Sequence, residues 1–199
     1  MTRWYKEKKK EHYYKAAKRV GYRARSAFKL KQIQNKFSIF SKGDTVIDLG
    51  AAPGGWSQVA NECVGEKGIV IGADIEAVKP LFGVIFIQGD VTEESTINEI
   101  KKEITKSNVD VIISDMSPDI TGTYSIDQAR SVYLCETALS VADQMLKPGG
   151  NFICKLFEGE DTKEFIDKVK SRFKYVKKFS PQASRKSSSE IYVIGLSFK

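Results

Sequence analysis

Five short apolar runs, each closed within two residues by glycine or an acidic residue, recur along the 199-residue chain, and nothing else in it narrows the possible folds as much. They fall at 45–49, 68–73, 84–87, 109–114 and 151–156. Runs this short, with few polar interruptions, suit strands covered on both faces of a parallel sheet. Helix-period segments separate them, at 56–63, 97–105, 126–146 and 162–173. Pro148-Gly149-Gly150 stops the third of these helices, and Thr162 is the expected cap of the fourth. An earlier helix is expected over 24–34, with Ala27, Leu30, Ile33 and Gln34 on one side. Two further strands, 175–179 and 191–198, are joined by a turn-rich loop, which predicts an antiparallel strand at the sheet's end. The pattern is α/β: a mostly parallel, open sheet with helices on both faces. Such sheets bind ligands beyond the carboxyl ends of their strands, so the chemistry is sought there.

Composition removes several classes. Hydrophobic residues at 41% suffice for a core, since a chain of this length buries roughly 70% of its unfolded surface. No stretch approaches the roughly 18 apolar residues of a membrane span, and the charged first ten residues lead into no apolar segment, so neither a membrane protein nor a secretory signal is expected. Cys63, Cys135 and Cys154 lie far apart with no C-x-x-C pair, which disfavours a disulfide framework or a zinc knuckle and points to the reducing cytoplasm. The single histidine, His12, weighs against Ser-His-Asp, Cys-His and His-metal chemistry, and no metal is expected.

Charge is unevenly spread. Residues 1–31 carry 12 Lys/Arg against 2 Glu, residues 32–167 carry 11 against 22 acidic residues, and residues 168–186 carry 8 with no acid. Two basic ends therefore flank an acidic middle within a net charge of +7. A charge run is commonly a solvated face. Here Trp4, Tyr5, Tyr13, Tyr14, Tyr22 and Phe28 interleave with the first cluster, so bases can stack while Lys and Arg neutralise phosphates. Nucleic acid is the favoured partner, and residues 1–21 read as a basic N-terminal arm.

The first apolar run ends in Asp48-Leu49-Gly50-Ala51-Ala52-Pro53-Gly54-Gly55-Trp56. The turn lacks the G-K-[ST] of a Walker loop and does not match G-x-G-x-x-G, and Pro53 removes an N–H that a diphosphate would use. A nucleoside cofactor without diphosphate fits better. Asp74, at the end of the second run, is placed to accept from a ribose diol, and Asp90 follows the third run, near where an adenine amine would lie. Asp48, Asp74 and Asp90 together suit a cation, and S-adenosylmethionine has the diol, the adenine and a sulfonium. Each aspartate taken alone is as well explained as a helix cap or loop turn.

The fourth run ends Ile113-Ser114-Asp115-Met116-Ser117-Pro118, and the fifth ends Cys154-Lys155-Leu156-Phe157. A lysine in a strand core is unfavourable unless paired or functional, and Asp115 is its partner from the neighbouring strand. A plain salt bridge would explain the pair as well.

Taken together, Phe28-Lys29-Leu30, the 48–56 turn, Ser114-Asp115-Met116-Ser117-Pro118, Lys155 and Ser189-Glu190-Ile191-Tyr192 resemble the FtsJ/RrmJ ribose 2′-O-methyltransferases across residues 22–197. That resemblance implies a Rossmann-like S-adenosylmethionine-dependent methyltransferase fold over residues 22–199, with seven strands, one of them antiparallel. It implies a catalytic tetrad of Lys29, Asp115, Lys155 and Glu190. It also implies S-adenosylmethionine contacts at Asp48, Gly50, Ala51, Pro53, Gly54, Trp56, Asp74, Asp90 and Asp115. The implied substrate is a ribose 2′-hydroxyl, foremost a uridine of large-subunit ribosomal RNA, within the processing of that RNA or of the assembled large subunit. A tRNA anticodon-loop ribose is the alternative, and a silent RNA-binding protein with an adenosyl pocket or a nicotinamide oxidoreductase are the rivals from other classes.

Overall fold

In the computed structural model, which describes residues 15–17, 19–104, 108–184 and 189–199, a seven-stranded sheet is flanked by five helices of eight residues or more. The strands are β1 (Thr45–Leu49), β2 (Ile69–Asp74), β3 (Val84–Gln88), β4 (Val109–Ser114), β5 (Leu146–Phe157), β6 (Phe173–Phe179) and β7 (Glu190–Phe198). The helices are α1 (Ala27–Phe37), α2 (Gly55–Val64), α3 (Glu94–Glu103), α4 (Tyr124–Met145) and α5 (Thr162–Arg172). Sheet order is β3-β2-β1-β4-β5-β7-β6. Strands β3 to β5 pair in parallel, and β7 runs antiparallel to both neighbours. The antiparallel strand thus lies one place in from the edge rather than at it. The expected arm residues Trp4, Tyr5, Lys8, Lys9, Lys10, His12, Tyr13, Tyr14 and Lys18 lie outside the described residues. Ala17 is buried in the core, and its carbonyl accepts the Tyr22 N–H at 2.9 Å.

The two faces of the sheet are read directly from strand alternation. Ile47 and Leu49 of β1, Ile71 and Ala73 of β2, and Phe152, Cys154 and Leu156 of β5 join one cluster with residues of α3, α4 and α5. Val46, Val70, Ile153, Tyr192 and Ile194 join the other, beneath α1 and α2. A side chain such as Phe152, fully buried, contributes about 2–3 kcal/mol relative to exposure. The central strands are buried along nearly their whole length, which accounts for the continuous apolar runs.

Differences from the sequence reading are local. Helix α1 starts at Ala27 because residues 24–26 form a tight turn, with the N–H groups of Ala27, Phe28 and Lys29 donating three residues back. Thr162 is the first residue of α5 and Asp161 holds the cap position; the Thr162 hydroxyl instead accepts the Gly159 N–H at 2.7 Å. Leu146 already pairs with Val109, and the register then jumps to Asn151 opposite Val111, so the Pro-Gly-Gly segment bulges from β5 instead of preceding it. No helix among the described residues is long and apolar enough to cross a membrane.

Candidate active site

The carboxyl ends of β1, β2 and β3 surround a cleft of about 590 Å³. Its wall includes Gly50, Ala52, Asp74, Asp90, Asp115 and Met116. At Gly50 φ is +76°, and a Cβ there would stand 2.5 Å from Met116 Cγ, so only glycine lets the fourth-strand loop close over the turn. The Gly50 and Ala51 N–H groups both donate to the Ala73 carbonyl, at 2.9 and 3.2 Å, fixing the turn against β2. Asp74 is held from both sides: Oδ2 accepts the Ala52 N–H and Oδ1 the Glu76 N–H, each at 2.8 Å. Asp90 is exposed, and its Oδ1 accepts from the backbone and hydroxyl of Thr92, each at 2.8 Å.

The remaining turn residues are placed differently. Gly54 donates to the Ala51 carbonyl at 2.6 Å and has φ +105°; a side chain there would meet Arg23. Pro53 is exposed, and Ala51 is buried. Trp56 packs inward under α1, its indole N–H donating to the Ser26 carbonyl at 3.0 Å and its ring 5.5 Å from that of Tyr192. Asp48 is fully buried beneath the turn, where Oδ2 accepts the Ser57 hydroxyl at 2.6 Å and Oδ1 has no partner among the described residues. Burial pushes its carboxyl up to about 7; the Ser57 hydroxyl opposes this, and the charges of Asp115 and Asp74 add to it.

A second group of side chains meets where β4 and β5 end and β7 begins. Lys155 and Tyr192 are register partners across β5 and β7, and Phe157 faces Glu190. The Lys155 ammonium donates to the Asp115 carbonyl at 2.6 Å and lies 3.3 Å from its Oδ1. Lys29, from α1, donates to Glu190 Oε1 at 2.6 Å, and the Ser184 hydroxyl donates to the same oxygen at 3.0 Å. Lys29 and Lys155 are each only 8% exposed, so both ammonium groups depend on these acceptors. Burial pushes the Glu190 carboxyl up, but the Lys29 ammonium beside it, with help from Lys155 and Ser184, outweighs burial and holds it below the usual carboxylate range. The four residues expected as a tetrad are therefore assembled in two cation–carboxylate pairs, and Asp115 belongs to both this group and the cleft wall.

Tyr192 was not singled out as a site residue from sequence. Its hydroxyl donates to Asp115 Oδ1 at 2.8 Å, its ring lies 5.7 Å below the Lys29 ammonium, and burial, with the charges of Asp115 and Glu190, keeps the phenol well above its ordinary range. The signal was present in Ser-Glu-Ile-Tyr, since residues two apart on a strand share a face. Arg23 was missed too: its guanidinium donates to the Lys79 and Pro80 carbonyls at 2.5 and 2.6 Å and bonds Pro53, stapling the loop after β2 to the turn. No sequence signal sets this arginine apart from its neighbours.

The cleft's chemistry suits a cationic nucleoside lacking phosphates. Carboxylates stand at the ends of β2 and β4 and just beyond β3, while the N–H groups of Gly50, Ala51 and Ala52 are already engaged within the protein and so offer no anion cradle. Asp74, fixed by two backbone donors, presents a preorganised acceptor for a diol. Among the described residues no group of three or more His, Cys, Asp or Glu is placed to hold a metal ion.

Residues 22–198 match the family model described as FtsJ-like methyltransferase. The chain is 50% identical over 187 residues to the ribosomal RNA large subunit methyltransferase E of Halorubrum lacusprofundi, spanning 93% of this chain and 70% of that one. It is 46% identical over 200 residues to the protein of the same name from Methanobrevibacter smithii, spanning 100% and 95%. Among solved structures, a Plasmodium falciparum chain described as a ribosomal RNA methyltransferase superposes with a TM-score of 0.82 at 29% identity, covering 89% of this chain and 98% of that one.

Proposed function

Because the chain belongs to the FtsJ-like methyltransferase family, it is a methyltransferase, and we propose that it methylates a ribose 2′-hydroxyl of ribosomal RNA using S-adenosylmethionine. The observation that carries this reading is the Lys155–Asp115 pair at the wall of a carboxylate-rimmed cleft. The names of its relatives support ribosomal RNA of the large subunit as substrate, and the two basic segments of the sequence suit a polyanion.

S-adenosylmethionine, when bound, supplies a methyl carbon already activated by a sulfonium. Asp74 would hold the ribose diol, Asp90 and its neighbouring backbone would face the adenine, and Asp115 would add negative charge near the sulfonium. Gly50 and Met116 shape the wall between them. Lys155 has three N–H donors; one is given to the Asp115 carbonyl, the ammonium is ion-paired with the same residue's Oδ1, and a remaining N–H would hold the 2′-oxygen. Aligning that oxygen is the main task of the protein, because positioning alone can supply much of the barrier reduction. Asp115 orients Lys155, and Tyr192 fixes Asp115 in turn. Lys29 and Glu190 stiffen the floor beneath the ribose. Residues 1–21 and, near the end of β6 that lies opposite Tyr192, Lys177 and Lys178 would hold the surrounding phosphates, whereas Lys168, Lys170 and Arg172 are paired with acids at the far end of the sheet; the cytoplasm is the compartment where substrate and donor would meet.

The test is incubation with tritiated S-adenosylmethionine and, separately, unmodified large subunits, free ribosomal RNA and tRNA, followed by alkaline hydrolysis. Label in alkali-resistant dinucleotides of the ribosomal samples is expected. Label confined to tRNA would move the substrate, and label on bases would overturn the ribose assignment.

A further inference from the structure

Tyr124 lies in the first turn of α4, and the residue is 60% exposed while its hydroxyl donates to the Glu158 carbonyl just beyond β5. A ring whose polar end is held and whose faces meet solvent is fixed in orientation at no further entropic cost to a partner. Its position is tied to the tetrad by backbone. Glu158 follows Lys155 by three residues, and its N–H donates to the Ser189 carbonyl at 2.8 Å, next to Glu190. The loop entering α4 is fixed as well: Asp127 accepts the N–H and hydroxyl of Thr121, each at 2.8 Å, and the Gly122 N–H at 3.2 Å. Ile120 and Ile126, in the same segment, are 64% and 45% exposed. A cation stands at the same residue, for the Lys178 ammonium pairs with the Glu158 side-chain carboxylate at 2.7 Å.

We propose that the Tyr124 ring is a stacking platform for an unpaired base beside the target ribose, with Lys178 at the adjoining phosphate. The inference rests on the ribose-methylation reading and deepens it. A base within a helix has no free face to offer, so the substrate nucleotide is presented from a loop, bulge or strand opened by the enzyme.

The experiment measures, by fluorescence anisotropy, binding of wild type, Tyr124→Ala and Tyr124→Trp to two RNA hairpins, one with a normal loop and one whose loop carries abasic sites. Removal of one base–aromatic stack weakens binding about tenfold. The alanine variant is expected to lose about that factor on the normal loop and nothing on the abasic loop, with tryptophan restoring it. Thermal melting of each variant checks the fold. Equal loss on both loops, or no loss on either, overturns the stacking role while wild-type methyl transfer leaves the functional reading standing. A wild type that binds neither hairpin and methylates no ribosomal RNA overturns both.

Discussion

Lys29 and Glu190, 161 positions apart in the chain, meet at 2.6 Å with side chains only 10% and 13% exposed, locking α1 onto the start of β7. Removing one partner strands the other charge in a desolvated site. Lys29→Ala and Glu190→Ala should therefore each destabilise the fold by on the order of 3 kcal/mol. Because the Glu190 carboxyl is held below its ordinary value, its contribution is full above the unfolded pKa near 4.5 and fades as pH falls through the folded one. Urea unfolding at pH 7 and pH 4 tests this: Glu190→Gln should flatten the decline seen in wild type, and an unaltered decline would assign it to other carboxylates.

Lys155→Ala should lower methyl transfer by at least about a hundredfold while S-adenosylmethionine affinity, read by calorimetry, stays near wild type. Turnover comparable to wild type would remove Lys155 from the reaction.

Asp74→Ala leaves the Ala52 and Glu76 N–H groups without their acceptor and takes away the expected diol partner. The KM for S-adenosylmethionine should rise about tenfold to a hundredfold, with RNA affinity unchanged. A parallel loss of RNA binding would mean that the variant disturbs the whole turn.

Asp48 gives a pH-dependent prediction of opposite sign to Glu190. Its folded value near 7 lies above the ordinary 3.8, so its contribution to stability is fully present below about 3.8 and is lost as pH rises towards 7. Asp48→Asn, which keeps an acceptor for Ser57, should raise Tm most at pH 8, less at pH 5, and have little effect once pH falls below about 3.8. Melting curves across that range decide it; a gain independent of pH would locate the effect outside ionisation.

Neutralising Lys8, Lys9, Lys10 and Lys18 together should weaken RNA binding and reduce its logarithmic salt slope by up to about 3, at roughly 0.7 for each single-strand phosphate that the variant no longer neutralises. An unchanged slope would return these lysines to solvated surface.

The sheet was legible because β1, β2 and β4 are covered on both faces, which forces short apolar runs whose ends announce themselves. Asp115 and Lys155 were legible for a related reason, as polar groups at the ends of buried strands. Lys29 and Glu190 were not: α1 and β7 are distant in sequence, and only resemblance to a family joined them. Asp48 shows where strand-end reading stops. It shares a face with Val46, beneath α1 and α2, so it turns towards Ser57 of α2 while Gly50, two residues on, reaches the cleft. Trp56, likewise, is in the turn by sequence and in the core by packing. Tyr192 needed the antiparallel pairing with β5 before its hydroxyl could be placed on Asp115.

The insertion of β7 between β5 and β6 has a consequence for the order in which the molecule becomes itself. When β6 has been made, it has no neighbour to join, and it docks only once β7 has been threaded beside β5. The same event delivers Glu190 and Tyr192 to Lys29 and Asp115. Closure of the sheet and the gathering of the four residues expected as a tetrad are thus the same structural event.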